Sequence, residues 1–184
     1  HVARTGADYS GFLLRGRMRT AAALAERVVA EIVEALLAAD PVGAKADAQV
    51  VCVDPALEQQ VSAIGARMRS GSLDALGPGS FRVLLGAEVA ERLGVGMGDT
   101  VVLAIAQGTV TPAGVVPRMR RFTVAGVFYS GMYEIDNGLA LVPLQDAARL
   151  FRTGTDATGL RLAVRDPLLA PSVSREVAEA LGGG

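Results

Sequence analysis

Histidine, cysteine, lysine and tryptophan are nearly absent from this sequence of 184 residues, and each absence excludes a kind of chemistry. The only histidine is His1, so a Ser-His or Cys-His nucleophile and a histidine-bearing metal site are not expected. Lys45 is the only lysine and no GxxxxGK[ST] segment leads into it, which excludes that phosphate-binding loop. The single cysteine, Cys52, is predicted to be a small apolar residue in a buried strand. We therefore expect no enzyme, no metal and no cofactor.

A large excess of charge and a long apolar run are missing as well. The formal net charge is -1, which does not fit a nucleic-acid-binding domain with its usual basic face. No run of 18 uncharged apolar residues occurs, so no segment is predicted to span a bilayer. The opening residues HVARTGADYS lack the apolar stretch of a signal peptide, and we expect the chain to be a piece of a longer protein.

What remains is a chain rich in aliphatic side chains. It is 51% hydrophobic but only 4% aromatic, so its core must be built mainly from Val, Leu, Ile and Ala. Apolar periodicity and turn signals predict a mixed α+β order. The predicted strands are 11–18, 48–54, 81–86, 96–106, 121–130, 138–143 and 158–166. The predicted helices are 20–41, 54–68, 87–95, 143–151 and 167–181.

The clearest of these predicted helices is the segment 20–41, TAAALAERVVAEIVEALLAADP. Thr20 is a suitable N-cap, and apolar residues recur at helical spacing along the segment. At 1.5 Å per residue the helix would be about 30 Å long. The apolar stripe comprises Leu24, Val28, Ile32, Ala35 and Ala39, widened by Val33 and Leu37.

Two local signals predict turns and caps. Asp54 and Pro55 form a cap and first-turn pair for the helix that follows, because proline is tolerated where its missing N–H has no partner. In LGVGMGD, residues 93–99, the glycines allow positive φ and Asp99 can bond to its own backbone two residues on. Similar turns precede strands in small β-barrel families, so this segment indicates a structural role.

One acidic pair is a candidate for chemistry. Glu134 and Asp136 stand two residues apart in YEID and would share a face of an extended segment. Solvated loop carboxylates are the more common case, and we predict that role for both residues.

The segment 108–126, GTVTPAGVVPRMRRFTVAG, has the outline of a β-hairpin with an unusual tip. The residues TPAG suit a type I turn with Pro112 at its second position. Pro112 and Pro117 remove two ladder donors, so this arm is not expected to be a central strand. The return arm should place Phe122, Val124, Gly126 and Phe128 on one face.

Three arginines follow the tip, and no acid occurs between Asp99 and Glu134 to pair with them. Arg118 and Arg120 should leave the same face of an extended strand, and Arg121 the opposite face. Two interpretations stay open from the residues alone. The loop could fold back onto its own domain with its arginines solvated or paired elsewhere, or it could protrude and dock an apolar tip and a basic base on a partner.

Four segments in order resemble the periplasmic domain of the LolC/LolE subunits of the lipoprotein-releasing ABC transporter of Gram-negative bacteria. They are VDPALEQQVS (53–62), LGAEVAERLGVGMGDTVVL (85–103), TVTPAGVVPRMRRFTVAGVFYSGMYEIDNGLALVPLQDAARLF (109–151) and TGLRLAVRDPLLA (158–170). The resemblance covers about residues 53–170, and residues 1–50 match only loosely.

The resemblance implies a fold, a location and a set of partners. It implies a porter-like α/β subdomain, residues 1–94 and 144–184, with an inserted β-rich subdomain, residues 95–143, that carries a hook hairpin at 108–122. The domain would lie in the periplasm as part of an inner-membrane subunit. Its partners would be a LolA-like carrier, a lipoprotein, a second permease subunit and a cytoplasmic ATPase.

By motif, the resemblance assigns carrier binding to the hook and to a basic pad beside it. The residue after Pro112 is the small Ala113, where a bulkier apolar residue can occur in the family. The implied partner-binding residues are Val110, Thr111, Pro112, Ala113, Gly114, Val115, Val116, Pro117, Arg118 and Arg120.

Two alternatives remain beside this interpretation. The first is the periplasmic domain of another exporter of the MacB/FtsX type. The second is of a different class, a stand-alone β-barrel enzyme or ligand-binding domain that uses the LGVGMGD scaffold.

Overall fold

The computed structural model describes residues 14–18, 28–40, 43–111, 114–151, 157–161 and 166–180. Its strands are β1 (Leu14–Met18), β2 (Val28–Ala39), β3 (Lys45–Val53), β4 (Met68–Gly71), β5 (Arg82–Gly86), β6 (Thr100–Thr111), β7 (Gly114–Phe128), β8 (Leu139–Pro143) and β9 (Ala157–Arg161). Its α-helices are α1 (Pro55–Val61), α2 (Ala87–Leu93), α3 (Tyr133–Gly138), α4 (Leu144–Phe151) and α5 (Ala170–Ala180). Short 3₁₀ helices occupy Ile64–Arg67, Leu73–Ala75 and Pro167–Leu169. Among these helices none combines the length and hydropathy needed to cross a membrane.

Six strands close into a barrel in the order β2, β3, β8, β5, β7 and β6. Strand β6 closes the ring because it pairs antiparallel with β7 along one edge and with β2 along the other. Two neighbouring pairs in the ring are parallel, β3 with β8 and β5 with β7. Strands β9 and β1 extend the sheet from β2, and β4 adds to β7. The observed fold is therefore mixed α+β around a six-stranded barrel.

One hydrophobic cluster includes side chains from all six barrel strands. Strand β3 shows the alternation that a barrel wall requires, with Ala46, Ala48, Val50 and Cys52 in this cluster. The prediction that Cys52 is a buried strand residue is confirmed. Helices α2 and α4 add Val89, Ala90, Leu93, Ala147 and Leu150 to the same cluster.

A second hydrophobic cluster contains the alternate residues of the same wall. Val51 and Val53 of β3 belong to it, together with residues of α3 and of the segment between α1 and β5. Strand β8 is consequently buried along its whole length, with all five residues of LALVP inaccessible. A strand that is covered on both sides reads as a continuous apolar run, which explains why its sequence does not alternate.

Local cap signals are confirmed where the deciding atoms lie near in sequence. The Asp54 side chain accepts a hydrogen bond from the Ala56 N–H at 3.0 Å, and Pro55 occupies the first turn of α1. Gly94 ends α2 in the left-handed region at φ 66°. In the turn that follows, the Asp99 carboxylate accepts from the Gly96 N–H at 2.8 Å, three residues back rather than two residues on as predicted.

The helix predicted for residues 20–41 is wrong over the part that the structure describes. Residues 28–39 form β2, and residues 20–27 and 41 lie outside the described residues. Ten of the twelve residues from Val28 to Ala39 are apolar, so the segment contains an apolar stripe at helical spacing and also apolar residues at the strand period of two. Long-range pairing favours the strand over the helix, since β2 has β3 on one side and β6 and β9 on the other. Leu37 pairs with Ala46 and both are buried.

The residues predicted to be buried along the return arm are buried, but they do not all lie on one face of the strand as predicted. Phe122, Val124 and Phe128 are all buried, yet Phe128 belongs to the second cluster and the other two to the first. The register against β5 shifts at Ala125, because Val83 pairs with Val124 while Leu84 pairs with Gly126. Such a bulge inserts one residue and exchanges the faces of the residues after it.

The acidic pair of YEID also differs from its prediction. It lies in helix α3, and Asp136 is only 1% exposed, whereas Glu134 is exposed. One Asp136 oxygen accepts from the Ser130 N–H at 2.7 Å and from the Ser130 hydroxyl at 2.9 Å, and the other accepts from the Gly131 N–H at 3.0 Å. Asp136 is therefore an internal anchor for the turn between β7 and α3 and not a solvated carboxylate.

The division into segments 1–94 with 144–184 and 95–143 stays a prediction. The strand pairing joins both segments, because β5 lies between β8 and β7, and the neighbouring strands β2 and β3 pair with β6 and β8.

The approach of β4 to β7 provides a stability prediction. A Cβ atom on Gly126 would overlap the Ser70 carbonyl oxygen and lie 3.1 Å from the Gly71 Cα. Gly126→Ala should therefore lower the free energy of unfolding by about 1–3 kcal/mol, because backbone must move to make room. Gly77→Ala is the matched control, since a Cβ there meets nothing within 4 Å. Urea unfolding followed by circular dichroism measures both, and equal stabilities of the two variants would contradict the packing of β4 on β7.

Candidate functional site

The hairpin of β6 and β7 extends well past the barrel. Strand β2 pairs with β6 only from Val101 to Ile105, and β5 pairs with β7 only from Thr123 onward. The pairing then continues outward between the two arms alone, through Thr109 with Val116 to Thr111 with Gly114. The six residues of β6 beyond Ile105 correspond to about 20 Å of strand. We call residues 106–111 and 114–117 the outer hairpin.

The predicted hairpin is therefore confirmed as an antiparallel pair. Thr111 faces Gly114, so Pro112 and Ala113 form the connection, and their turn type lies outside the described residues. In the described part of the chain, no third strand pairs with the outer hairpin. This agrees with the expectation that an arm with two prolines is not a central strand.

An irregularity separates the outer hairpin from the barrel. Arg118 pairs with Ile105 and Val116 with Thr109, so one residue of β7 faces three residues of β6. The one residue is Pro117, which has no N–H to donate to the ladder. The shift thus falls where the ladder could not continue, and it sets the outer hairpin apart from the regular barrel strands.

Register determines which way the arginines point. Arg118 is paired with Ile105, Arg120 with Leu103 and Phe122 with Val101. Residues directly opposite one another lie on the same face of a sheet, and Ile105, Leu103 and Val101 all belong to the core cluster. Arg118 and Arg120 therefore continue the inner face of the barrel wall past its mouth, and Arg121 lies on the outer face. The predicted alternation of the three arginines is confirmed.

Arg121 has a partner that the sequence did not reveal. Its Nε atom lies 2.6 Å from an Asp40 carboxylate oxygen, and the Arg121 side chain is 73% exposed. Asp40 reaches this position at the end of β2, where its N–H donates to the Thr100 carbonyl at 3.1 Å. No acid of the local stretch could pair with these arginines, and Arg121 is instead paired with an acid that lies 81 positions away in the chain.

Arg120 contacts an aromatic ring instead of an acid. Its guanidinium carbon lies 4.0 Å from the centroid of the Phe81 ring, and Arg120 itself is exposed. The Phe81 ring in turn meets Phe122 edge to face, with the centroids 5.8 Å apart. The ring therefore lies between the buried core and the guanidinium.

Phe81 and Asp146 are site residues that the sequence reasoning missed. Phe81 has φ 47°, and its N–H donates to the Asp146 carboxylate at 2.8 Å. The available signals were weak: an acid in the first turn of α4 and an aromatic residue after the turn-forming segment GPGS. Neither signal indicates that the two residues meet.

The structure shows no metal-binding cluster among the residues it describes. No group of three or more His, Cys, Asp or Glu side chains there is arranged to hold a metal ion. The described features beside the outer hairpin are the exposed guanidinium of Arg120, the half-buried Arg118 and the Phe81 ring that supports Arg120. Such an arrangement suits recognition of another macromolecule.

Comparison with known proteins places the chain among transporter domains. Residues 3–180 match the family described as MacB-like periplasmic core domain. The lipoprotein-releasing system transmembrane protein LolC of Neisseria meningitidis serogroup B is 43% identical over 120 residues, which cover 65% of this chain and 29% of that protein. LolC of Xylella fastidiosa is 43% identical over 129 residues, covering 70% and 31%. The chain thus spans about three tenths of the length of these curated relatives.

Solved structures support the fold. The extracellular domain of the ABC-type transporter YknZ from Gram-positive bacteria superposes with a TM-score of 0.54 at 14% identity, covering 84% of this chain and 73% of that one. The periplasmic region of MacB from Actinobacillus actinomycetemcomitans superposes with a TM-score of 0.50 at 13% identity, covering 85% and 67%. At these identities the likeness concerns the fold alone.

The ion pair on the outer face provides a prediction. A double-mutant cycle of Asp40→Ala and Arg121→Ala should give a coupling free energy of about 0.2–1 kcal/mol in unfolding, because exposed ion pairs are weak. The coupling should shrink when the ionic strength rises from 0.1 M to 1 M, since the screening length falls from about 10 Å to about 3 Å. A coupling that does not change with salt would contradict the pairing.

Proposed function

Because the chain belongs to the family of MacB-like periplasmic core domains, we propose that it serves a LolC-like permease in the release of lipoproteins from the inner membrane. The domain is the periplasmic part of an inner-membrane transporter permease. Two LolC proteins at 43% identity support the choice of transporter. The matched family is not a known catalytic one, which disfavours the alternative of a stand-alone enzyme.

The other components of the transporter would perform the steps of lipoprotein release that this domain does not. A second permease subunit and a cytoplasmic ATPase would provide the membrane path and the energy, and a LolA-like periplasmic carrier would accept the lipoprotein. The alternative of another MacB/FtsX-type exporter has support from fold likeness, but at identities of 13–14% against 43% for LolC.

The outer hairpin is the observation that carries the proposal that this domain docks the carrier. It extends from the barrel, and among the described residues no third strand pairs with its backbone edges, which are the groups that an added strand of a partner would use. Its sequence is apolar, with Val110, Val115 and Val116 near the tip. A protruding arm contributes little to the core of its own domain, and its apolar side chains gain most by burial against another protein.

The arginine face would complete the docking surface. Arg118 and Arg120 leave the same face of β7 beside the arm, and the guanidinium group forms bidentate bonds to carboxylates. We therefore assign carrier binding to Val110, Thr111, Pro112, Ala113, Gly114, Val115, Val116, Pro117, Arg118 and Arg120.

Shortening the arm tests the hairpin assignment. Replacing residues 110–115 by Asn-Gly joins Thr109 to Val116, which are cross-strand partners, through a turn that two-residue hairpins favour. The domain should keep its fold and its thermal midpoint, because the removed residues lie outside the barrel. Affinity for the purified LolA-like carrier of the same organism should fall by at least ~2 kcal/mol, the size of an interface hot spot.

Isothermal titration calorimetry and circular dichroism provide the two readouts. Tyr133→Ser is the matched control, because Tyr133 is 67% exposed and lies beyond the opposite end of β7. It should leave carrier affinity unchanged. Wild-type affinity in the shortened variant would sink the docking assignment.

Single substitutions of the arginines test the basic face. Arg118→Ala and Arg120→Ala should each weaken carrier binding by about 1–3 kcal/mol, as expected for charged hydrogen bonds that become partly desolvated. Arg121→Ala is the control with the same change of charge. It should do less, because Arg121 lies on the outer face and already has Asp40 beside it.

The arginine variants are compared at 0.1 M and 1 M salt. Wild-type affinity should fall with salt, and the arginine-dependent part should fall most. Equal losses from all three substitutions, or a wild-type affinity that ignores salt, would mean that the face is only solvated.

A further inference from the structure

Phe81 has a backbone conformation that its side chain does not favour. In the described part of the chain it is the one non-glycine residue with positive φ, at 47°. Bulky residues rarely adopt this left-handed region, and they keep it where surrounding contacts hold them there. The contacts around Phe81 therefore need to be accounted for.

Two hydrogen bonds clamp the Phe81 backbone from opposite directions. Its N–H donates to one Asp146 oxygen at 2.8 Å, and its carbonyl accepts from the Thr123 N–H of β7 at 2.9 Å. The other Asp146 oxygen accepts from the Gly79 N–H at 2.8 Å. Asp146 is completely buried, and each of its oxygens accepts one hydrogen bond from the loop that carries Phe81; the oxygen that accepts from Gly79 also lies 3.8 Å from the Arg149 guanidinium.

With its backbone held in this way, Phe81 places its ring between the side chains of two residues of β7, Phe122 and Arg120. One contact of the ring is edge to face with Phe122, at an interplanar angle of 67°. The other is with the Arg120 guanidinium, whose carbon lies 4.0 Å from the ring centroid. Contact with Phe122 packs the Phe81 ring against the core cluster, but that packing does not require a cation over the ring.

A guanidinium that is already held loses less freedom when it binds. Arginine has a long side chain, and immobilising such a side chain at an interface opposes association. Stacking on an aromatic ring leaves the edge of the planar guanidinium, with its N–H donors, available to a carboxylate.

We propose that Asp146 and Phe81 are positioning residues of the docking site: Asp146 holds Phe81 in its left-handed conformation, and the Phe81 ring holds the Arg120 guanidinium ready for a carboxylate of the carrier. This inference rests on the proposed function, because carrier binding is the activity that the arrangement supports.

A double-mutant cycle on the 184-residue chain tests the route through Arg120. Phe81→Leu keeps an apolar side chain but removes the ring, and it should weaken carrier binding about two- to fivefold, the size of an exposed cation–π contact. In the Arg120→Ala background the same substitution should have no further effect. Phe81→Tyr retains the ring and should retain the affinity.

Asp146→Asn tests whether Asp146 acts on Arg120 by holding the Phe81 backbone. The amide keeps the shape of the carboxylate but turns an N–H₂ group toward one of the two donors, so one clamp is lost. Binding should weaken in the wild-type background and not in the Arg120→Ala background. Equal losses in both backgrounds, from either Asp146→Asn or Phe81→Leu, would overturn the positioning role.

Arg120→Lys keeps the inference testable if Phe81→Leu does not fold. Arg120 is exposed, so the variant should fold, and its ammonium lacks the planar stack of guanidinium. Its affinity should fall although the charge is kept. Unchanged affinity would contradict the role of the ring.

A spectroscopic readout separates this inference from the proposed function. Protons of the Arg120 side chain above the Phe81 ring should be shifted upfield by the ring current, and Phe81→Leu should abolish that shift without any carrier present. Unshifted Arg120 signals in the wild type would overturn the inference even if the carrier binds. Shifted signals in a wild type that does not bind the carrier would refute the proposed function, and the docking role of this contact with it.

Discussion

The double pairing of β6 is the constraint on which the rest of the structure depends. Because β6 bonds to β2 at one edge and to β7 at the other, the six-stranded sheet has no open edge within the barrel. The same two strands, β6 and β7, then run on to form the outer hairpin. The arm is therefore a continuation of the closed sheet and not a loop attached to it, and the ladder that closes the core also supports the arm at its base.

Burial on both sides of the barrel wall explains how the chain forms a core with so few aromatic residues. Five strand residues of β8 are inaccessible, and the two clusters meet through β3, β8 and β5. Small and branched aliphatic side chains pack such a two-sided wall densely. Three of the five phenylalanines belong to the described core or pack against it: Phe128 follows the bulge at Ala125, and Phe122 and Phe81 meet edge to face.

Sequence reasoning succeeded where the decisive atoms are neighbours in the chain. The cap at Asp54, the stop at Gly94 and the hairpin from Thr109 to Val116 all depend on contacts within a few residues. It failed for β2, whose apolar spacing fits both periods and whose partners come from β3, β6 and β9. It also missed Asp40 beside Arg121 and Asp146 beneath Phe81, which are 81 and 65 positions away. Pairs of residues that are so far apart in the chain produce no pattern in a short sequence window, because only the tertiary fold brings them together.

Packing in the barrel core also determines which arginines lie on each face of β7. Phe122 is paired with the buried Val101, and that pair belongs to the core cluster. A slip of one residue between β6 and β7 would move Phe122 out of the core and exchange the two faces of β7. Arg118 and Arg120 would then turn toward the Asp40 side, and Arg121 would turn toward Phe81. The free energy of burying Phe122 opposes that slip, so the direction of the proposed docking face is set by the same packing that stabilises the fold.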